Sequence, residues 1–107
     1  MRHVAERLTE PVLLILASLA DAPRHGYALL QDIERLSGGA VQLSTGTLYG
    51  ALRRLLENGW IERFDQPDTA RDKQAYRLTP DGRFQLTSEL ARRRKLSAAI
   101  SKRLRHA

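Results

Sequence analysis

The residues best suited to chemistry in this sequence lie on one predicted helix, residues 44–59, which reads STGTLYGALRRLLENG. Its arginine, threonine and tyrosine side chains are suited to contacts with phosphates and base edges. Two glycines one turn apart weaken a helix by roughly 1 kcal/mol each relative to alanine, and they remove side chains where a partner would approach the backbone closely. We therefore predict a helix that lies in a groove of DNA, with the contact residues Ser44, Thr45, Gly46, Thr47, Tyr49, Gly50, Arg53 and Arg54.

Catalytic chemistry finds no comparable support in the sequence. The chain has no cysteine, which excludes a thiol nucleophile, a disulfide and a cysteine-based metal site. The three histidines, at positions 3, 25 and 106, are scattered, and no carboxylate pair or glycine-rich phosphate loop accompanies them. His25 could act as a base, but a histidine beside a helix start is more often structural, and no nucleophile accompanies it. We expect no enzyme, no catalytic residue, no metal and no cofactor.

The apolar residues of the predicted helix fix which side it turns outward. Leucines at positions 48, 52, 55 and 56 follow the spacing i, i+4, i+7 and i+8, which forms one apolar stripe. The glycines and Arg53 fall on the opposite side of the helix. Ser44 can cap the start by accepting a hydrogen bond from a first-turn N–H group, and Gly59 can end the helix in a left-handed conformation.

The net charge of +6 over 107 residues is unevenly distributed along the chain. Residues 1–82 hold 10 Lys and Arg against 11 Asp and Glu, whereas residues 83–107 hold 8 against 1. A basic chain is compatible with nucleic acid, but this excess does not point to the central helix. The local charge pattern does point to the central helix, because Arg53 and Arg54 have no acidic residue before Glu57 in that helix.

The other elements follow from caps, turns and periodicity. Thr9 is a helix cap before an apolar run, and a helix without a polar face must be covered on more than one side. One side can be covered by its own core, and a second subunit could cover the other. Thr79-Pro80-Asp81 begins a long helix, because it combines a cap, a first-turn proline and an acidic residue. The predicted order begins with a helix around 12–20, a turn at 21–24, a helix at 25–36 and a short strand at 41–43. The helix 44–59 follows, then strands at 60–64 and 75–78, and finally a helix from 80 to about 105.

The apolar run also has a competing interpretation as a secretory signal peptide. Arg2 precedes the run, and Ala20-Asp21-Ala22 has the form of a cleavage site. Glu6 and Glu10 argue against this interpretation, since the lead segment should be basic, and cleavage would remove the most apolar helix of a small domain. The run is also too short to span a bilayer. We expect a cytoplasmic protein with no membrane partner.

The connection from Asp65 to Lys73 allows two interpretations. It is either a solvated loop or a wing that contacts the DNA backbone through Arg71 and Lys73, and the preceding helix favours the wing. The basic run Arg92–Lys95 is equally open. It could contact DNA phosphates, or it could keep the exterior of the last helix soluble.

The last helix carries an apolar seam with a polar middle, at the 4-3-4-3-4 spacing of a coiled coil. A domain this small cannot cover such a stripe, so we predict that it pairs with a second chain. The predicted interface residues are Leu13, Leu16, Leu86, Leu90, Leu96, Ile100 and Leu104.

Taken together, the elements predict a mainly α, α+β winged helix fold. Residues 1–79 would form a winged helix-turn-helix domain with a two-stranded wing, and residues 80–107 a C-terminal dimerisation helix. A winged helix that contacts protein rather than DNA remains the rival function, and the balance of −1 over residues 1–82 supports it.

Over about residues 9–85 the sequence resembles the PadR family of bacterial transcription regulators. The motifs that carry the resemblance are LIL at 14–16, PRHGY at 23–27, LSTGTLY at 43–49, LRRL at 52–55, GWI at 59–61 and YRLT at 76–79, with Gly82. The resemblance implies a homodimer that represses transcription from a palindromic operator on double-stranded DNA. It also implies that Thr45, Thr47, Tyr49, Arg53 and Arg54 read the DNA, with Arg71 and Lys73 in the wing, and it fits the branch with one short C-terminal helix.

Two positions depart from the family pattern. The family commonly has proline where Thr45 stands, which implies a less rigid helix start here. Multidrug-binding members place aromatic residues on the C-terminal helix, whereas this helix carries only Phe84, and Trp60 lies at the hairpin. The sequence therefore gives no support for a small-molecule effector.

Overall fold

The computed structural model describes residues 4–64 and 74–106, and within these ranges the chain forms four helices around a small sheet. The three strands are antiparallel in the order β1-β3-β2. This confirms the predicted mainly helical winged-helix fold. The elements are α1 (Glu10–Ser18), β1 (Arg24–His25), α2 (Gly26–Leu36), α3 (Thr45–Asn58), β2 (Ile61–Phe64), β3 (Ala75–Leu78) and α4 (Pro80–Arg105).

Three helices begin where the sequence places their caps, whereas α1 ends at Ser18, two residues before the predicted end. The hydroxyls of Thr9, Ser44 and Thr79 accept hydrogen bonds from backbone N–H groups three residues on, at 3.5, 3.1 and 3.1 Å. Each bond satisfies an N–H group that has no partner within its own helix. Gly59 ends α3 with φ at 76°, a left-handed conformation that side chains with a Cβ rarely adopt.

The sheet differs from prediction on one side. Strands β2 and β3 form the predicted hairpin, but the third strand is β1, where a turn extending to Arg24 was predicted, and it pairs with Tyr76 and Ala75. The strand predicted at 41–43 is wrong. The Val41 N–H donates to the hydroxyl of Ser37 at 3.0 Å instead of to a neighbouring strand, and Val41 packs half-buried against the core.

One core joins α1, α2, α3, the sheet and the beginning of α4. Its fully buried members include Ile15, Leu16, Leu29, Ile33, Leu48 and Leu52. Two predicted dimer contacts are therefore corrected: Leu16 has no exposed surface and Leu86 only 6%, so both belong to the core of their own chain. None of the helices in the described part of the chain combines the length and apolarity that a bilayer crossing needs.

The end of α3 is bonded directly to the start of α4. The N–H of Thr79 donates to the carbonyl of Trp60 at 3.1 Å, and the Thr79 hydroxyl donates to the carbonyl of Gly59 at 2.6 Å. Gly82 makes this approach feasible, since a Cβ at this position would lie 2.9 Å from the carbonyl carbon of Trp60. The two helices therefore keep one relative orientation.

A buried carboxylate fixes the N-terminal segment to α4. The Glu89 side chain is 1% exposed, and it accepts hydrogen bonds from Arg92 at 2.5 Å, from Arg93 at 2.7 Å and from the backbone N–H of Leu8 at 3.3 Å. The bonds from Arg92 and then Arg93 lower the pKa of Glu89 from 4.5 to about 2, although burial alone would raise it. Within the basic run Arg92–Lys95, two arginines are thus engaged inside the chain.

We predict that Glu89→Gln lowers the free energy of unfolding at pH 7 and removes part of its acid dependence. The pKa of this carboxyl is lower in the folded than in the unfolded chain. Its contribution is therefore present above about pH 5 and is lost as the pH falls through 4.5 toward 2. Urea unfolding at pH 7, 4 and 2.5, at one protein concentration, measures both effects.

Glu62→Gln provides the control, because Glu62 pairs with Arg77 at a site where both side chains are about half exposed. Exposed pairs contribute about 0–1 kcal/mol, so this variant should lose little stability. An equal loss of unfolding free energy in the two variants would contradict the stabilising role assigned to Glu89. So would an unfolding free energy of Glu89→Gln that depends on pH as the wild type's does.

Candidate nucleic-acid interface

Helix α3 turns its leucines into the core and leaves its polar side open. Leu48, Leu52 and Leu55 are 0%, 1% and 2% exposed, whereas the predicted contact residues Thr45, Gly46, Thr47, Arg53 and Arg54 are exposed. The predicted orientation of the helix is thus confirmed. The outward side is a continuous surface that no described segment of the chain covers.

The two glycines of α3 are not needed for packing inside the chain. A Cβ built at Gly46 or at Gly50 meets no heavy atom within 4 Å. Glycine weakens a helix interior by roughly 1 kcal/mol relative to alanine, and nothing in the described structure offsets that loss. The backbone of α3 is consequently accessible over one full turn, which suits close contact with a partner.

The first turn of α3 is held by its own side chains. The Ser44 hydroxyl accepts from the N–H of Thr47 at 3.1 Å and donates to the Thr47 hydroxyl at 2.9 Å. This pair fixes the start of the helix where the family commonly has proline before Gly46. Thr45, which occupies that position, remains exposed. Ser44 therefore has a capping role in addition to any contact with a partner.

Tyr49 has a packing role that the sequence did not reveal. Its ring lies against the first residue of α2, since a Cβ at Gly26 would be 2.9 Å from the Tyr49 Cζ. Tyr49 remains 40% exposed. The motif HGY at 25–27 thus meets the motif S-x-G-T-L-Y at 44–49, and any larger residue at position 26 would require the Tyr49 ring to move.

Arg53 and Arg54 are exposed, and neither is hydrogen-bonded or ion-paired to a described side chain. Their guanidinium groups are free to bind an external anion, and the planar fork of arginine matches both phosphate oxygens and a guanine edge. The other predicted cations, Arg71 and Lys73, lie outside the described residues.

The structure also brings together residues that the sequence analysis did not select. Arg63 of β2 lies directly opposite Tyr76 of β3, and these two side chains line an open pocket of about 190 Å³ with Tyr49, Leu52, Arg53 and Leu56. Burial raises the pKa of the Tyr76 hydroxyl, with a further rise from Tyr49 and a smaller opposing effect from Arg63. Strand alternation could have placed Arg63 on the face of Ile61, toward α3, but the pocket depends on tertiary packing.

The remaining candidate residues form no reaction centre. His25 is half-buried, and its Nδ1 atom is buried without a hydrogen-bond partner in the described structure. No group of three or more potential metal ligands occurs among the described residues. Tyr27, the last residue of the motif PRHGY, is 72% exposed and so is not part of the core.

The second half of α4 projects an apolar row that the chain itself leaves uncovered. Leu90, Leu96, Ile100 and Leu104 are 41%, 52%, 49% and 72% exposed. Leu13 of α1, the other predicted interface residue, is half-buried. A contiguous exposed apolar surface of this kind is typical of a protein–protein contact.

Comparison with known proteins identifies the family. A family model described as "Transcriptional regulator PadR-like family" matches residues 15–88. A transcriptional regulator of Mycobacterium tuberculosis is 36% identical over 77 residues, which cover 72% of this chain and 69% of that protein. An uncharacterised transposon protein of Streptomyces fradiae is 36% identical over 94 residues, which cover 88% of this chain but 26% of that protein. The chain thus spans about a quarter of that relative's length.

A solved structure shares the fold of this chain. Bacillus subtilis PadR, in a structure with operator DNA, matches with a TM-score of 0.67 at 22% identity, covering 79% of this chain and 48% of that one. A likeness at this identity bears on the fold. Residues 15–88, matched by the family model, include α3 and both strands of the hairpin. The family consists of regulators rather than enzymes. This chain therefore belongs to the PadR-like family of transcriptional regulators.

Proposed function

We propose that the chain is a homodimeric DNA-binding repressor, which inserts α3 of each subunit into the major groove of a palindromic operator. The observation that carries this proposal is the open side of α3, where the backbone is bare at Gly46 and Gly50 and two arginines lack a described carboxylate partner. An α-helix fits the major groove, and a helix without side chains on its outer side can approach the bases more closely.

In this arrangement the side chains of α3 divide into two groups. Arg53 and Tyr49 would contact base edges, and arginine commonly binds guanine through two hydrogen bonds. Arg54 would bind the phosphate backbone, which adds affinity without sequence preference. The wing residues Arg71 and Lys73 would add two further backbone contacts. The likeness in fold to Bacillus subtilis PadR, solved with operator DNA, supports this use of the winged helix.

We further propose that the second copy covers the exposed row of α4. Each buried leucine or isoleucine side chain contributes roughly 1.5–3 kcal/mol, so four of them per subunit favour a stable dimer. A two-fold dimer places its reading helices in successive major grooves, about 34–36 Å apart. Residues 1–79 would thus serve DNA binding and residues 80–107 dimerisation, in a cytoplasmic regulator.

Gly50→Leu should weaken operator binding strongly, because the new side chain would stand between the helix backbone and the bases. The fold should be nearly unchanged, since the position has open space and leucine favours a helix more than glycine does. Titration of a duplex selected from random sequences by the wild-type protein measures affinity. Thermal unfolding of the same preparation reports stability.

Gln31→Leu is the matched control, because it adds the same side chain to an exposed position of α2. Wild-type affinity for Gly50→Leu would contradict the groove-facing assignment. Wild-type protein whose interaction with duplex DNA shows no salt dependence would favour the rival function, a winged helix that contacts protein.

Ile100→Asp should dissociate the dimer, because it places a charge at the middle of the exposed row of α4, where burial without a partner is costly. Sedimentation equilibrium should give a monomer for this variant and a dimer for the wild type at the same concentration. Ala98→Asp introduces the same charge on the opposite side of α4 and should leave the dimer intact. A dimeric Ile100→Asp protein would exclude this row from the interface.

A further inference from the structure

We propose that the pocket between α3 and the sheet binds one phosphate of the DNA backbone, and that Arg63 is the residue that holds it. This inference rests on the proposed function, because it assumes that α3 enters a groove. It adds to the proposed interface two residues that the sequence analysis did not select as contact residues, Arg63 and Tyr76.

Residues of α3 and of the β2–β3 hairpin together form the pocket. Tyr49, Leu52, Arg53 and Leu56 come from α3, and Arg63 and Tyr76 come from facing positions of β2 and β3. Its volume of about 190 Å³ holds several waters at roughly 30 Å³ each. It can therefore hold a tetrahedral phosphate group, and its open side allows the group to remain part of a longer strand.

The polar groups that line the pocket suit an anion. The guanidinium group of Arg63 offers only donors, and the phenol hydroxyl of Tyr76 can donate as well, while Arg53 adds positive charge to the wall of the pocket. The leucine walls lower the local dielectric constant, which strengthens the attraction between charges. A tyrosine hydroxyl is protonated at neutral pH and can donate, and burial raises the pKa of Tyr76 further above this range.

No described acidic residue lines this pocket. Glu62, the neighbour of Arg63 on β2, is ion-paired at 2.7 Å with Arg77, the residue directly opposite it on β3. Successive residues of a strand point to opposite faces, so this pair lies on the other face of the hairpin. Arg77 is further occupied by the Phe64 ring, 5.2 Å from its guanidinium carbon. Among the described hairpin residues, Arg77 is thus paired on one face, whereas Arg63 on the face toward α3 has no acidic partner.

The position of the pocket favours a DNA phosphate over a free anion. The pocket shares Arg53 and Tyr49 with the side of α3 proposed to enter the groove. The walls of the major groove are lines of phosphates, so a strand beside α3 would pass over the mouth of the pocket. A free anion would gain the same charge contacts, but it would not need a site continuous with the reading helix.

Arg63→Gln and Arg77→Gln form a matched pair for the test, since they remove the same charge from opposite faces of one hairpin. On the selected duplex, Arg63→Gln should weaken binding roughly tenfold or more, as expected for hydrogen bonds to a charged group. It should also lower the slope of log K against log salt by about one unit. Arg77→Gln should leave the slope unchanged, and circular dichroism should confirm that both variants are folded.

Single uncharged methylphosphonate linkages, placed in turn along the duplex, identify the phosphate. One linkage in each half-site should weaken wild-type binding yet add no further loss in Arg63→Gln, because the two changes remove the same contact. Additive losses at every linkage, or equal effects of Arg63→Gln and Arg77→Gln, would overturn the phosphate assignment while leaving DNA binding established. Absence of salt-dependent binding by the wild type would instead overturn the proposed function.

Competition between the duplex and inorganic phosphate, measured at constant ionic strength, distinguishes a pocket that binds a free anion from one that binds a DNA phosphate. If the pocket serves DNA, phosphate ions should compete weakly with the duplex, and this competition should disappear in Arg63→Gln. Tight phosphate binding to the wild type, combined with normal duplex affinity of Arg63→Gln, would assign the pocket to a free anion and overturn the inference.

Discussion

The burial of one leucine face of α3 determines which of its residues face solvent and can contact a partner. Leu48, Leu52 and Leu55 have almost no exposed surface, because they lie in one core together with residues of α1, α2 and the sheet. A helix with one buried stripe can direct only its remaining positions to solvent. The orientation of the arginines and of the bare backbone at Gly46 and Gly50 is a consequence of core formation. The candidate interface therefore stays in place as long as the core does.

The hydrogen-bonded junction between α3 and α4 would link DNA reading to assembly in the proposed dimer. Thr79 bonds to the backbone of Gly59 and Trp60, and Gly82 lets α4 start against that same backbone. A dimer formed through α4 would hold two copies of α3 at a fixed separation. This is the geometric requirement for reading two half-sites, since neither helix could adjust its position independently.

The structure shows that part of the basic excess near the C-terminus is paired within the chain. The basic excess lies in residues 83–107, yet Arg92 and Arg93 are engaged by the buried Glu89, where they help to fix the N-terminal segment. The candidate nucleic-acid surface depends instead on a few arginines that lack a described acidic partner. Local pairing is therefore a better guide to this interface than net charge.

The errors of the sequence analysis share one cause. Val41 and Leu43 alternate as a strand does, but a strand needs a neighbour, and Ser37 provides the hydrogen bond that a neighbour would have provided. Strand β1 has only two residues, too few for any periodicity, and it exists because β3 pairs with it. Leu16 and Leu86 belong to apolar stripes that the sequence cannot divide between the chain's own core and a second chain.

The sequence by itself determined what is decided within a few residues along the chain. Caps at Thr9, Ser44 and Thr79, the left-handed Gly59 and the leucine spacing of α3 define helix ends and faces, because these interactions span at most two turns. Tertiary structure alone decided which residues meet across the chain. The contact of Tyr49 with Gly26 and the pocket lined by Arg63 and Tyr76 join distant segments, and such contacts exist only when a common core holds those segments together.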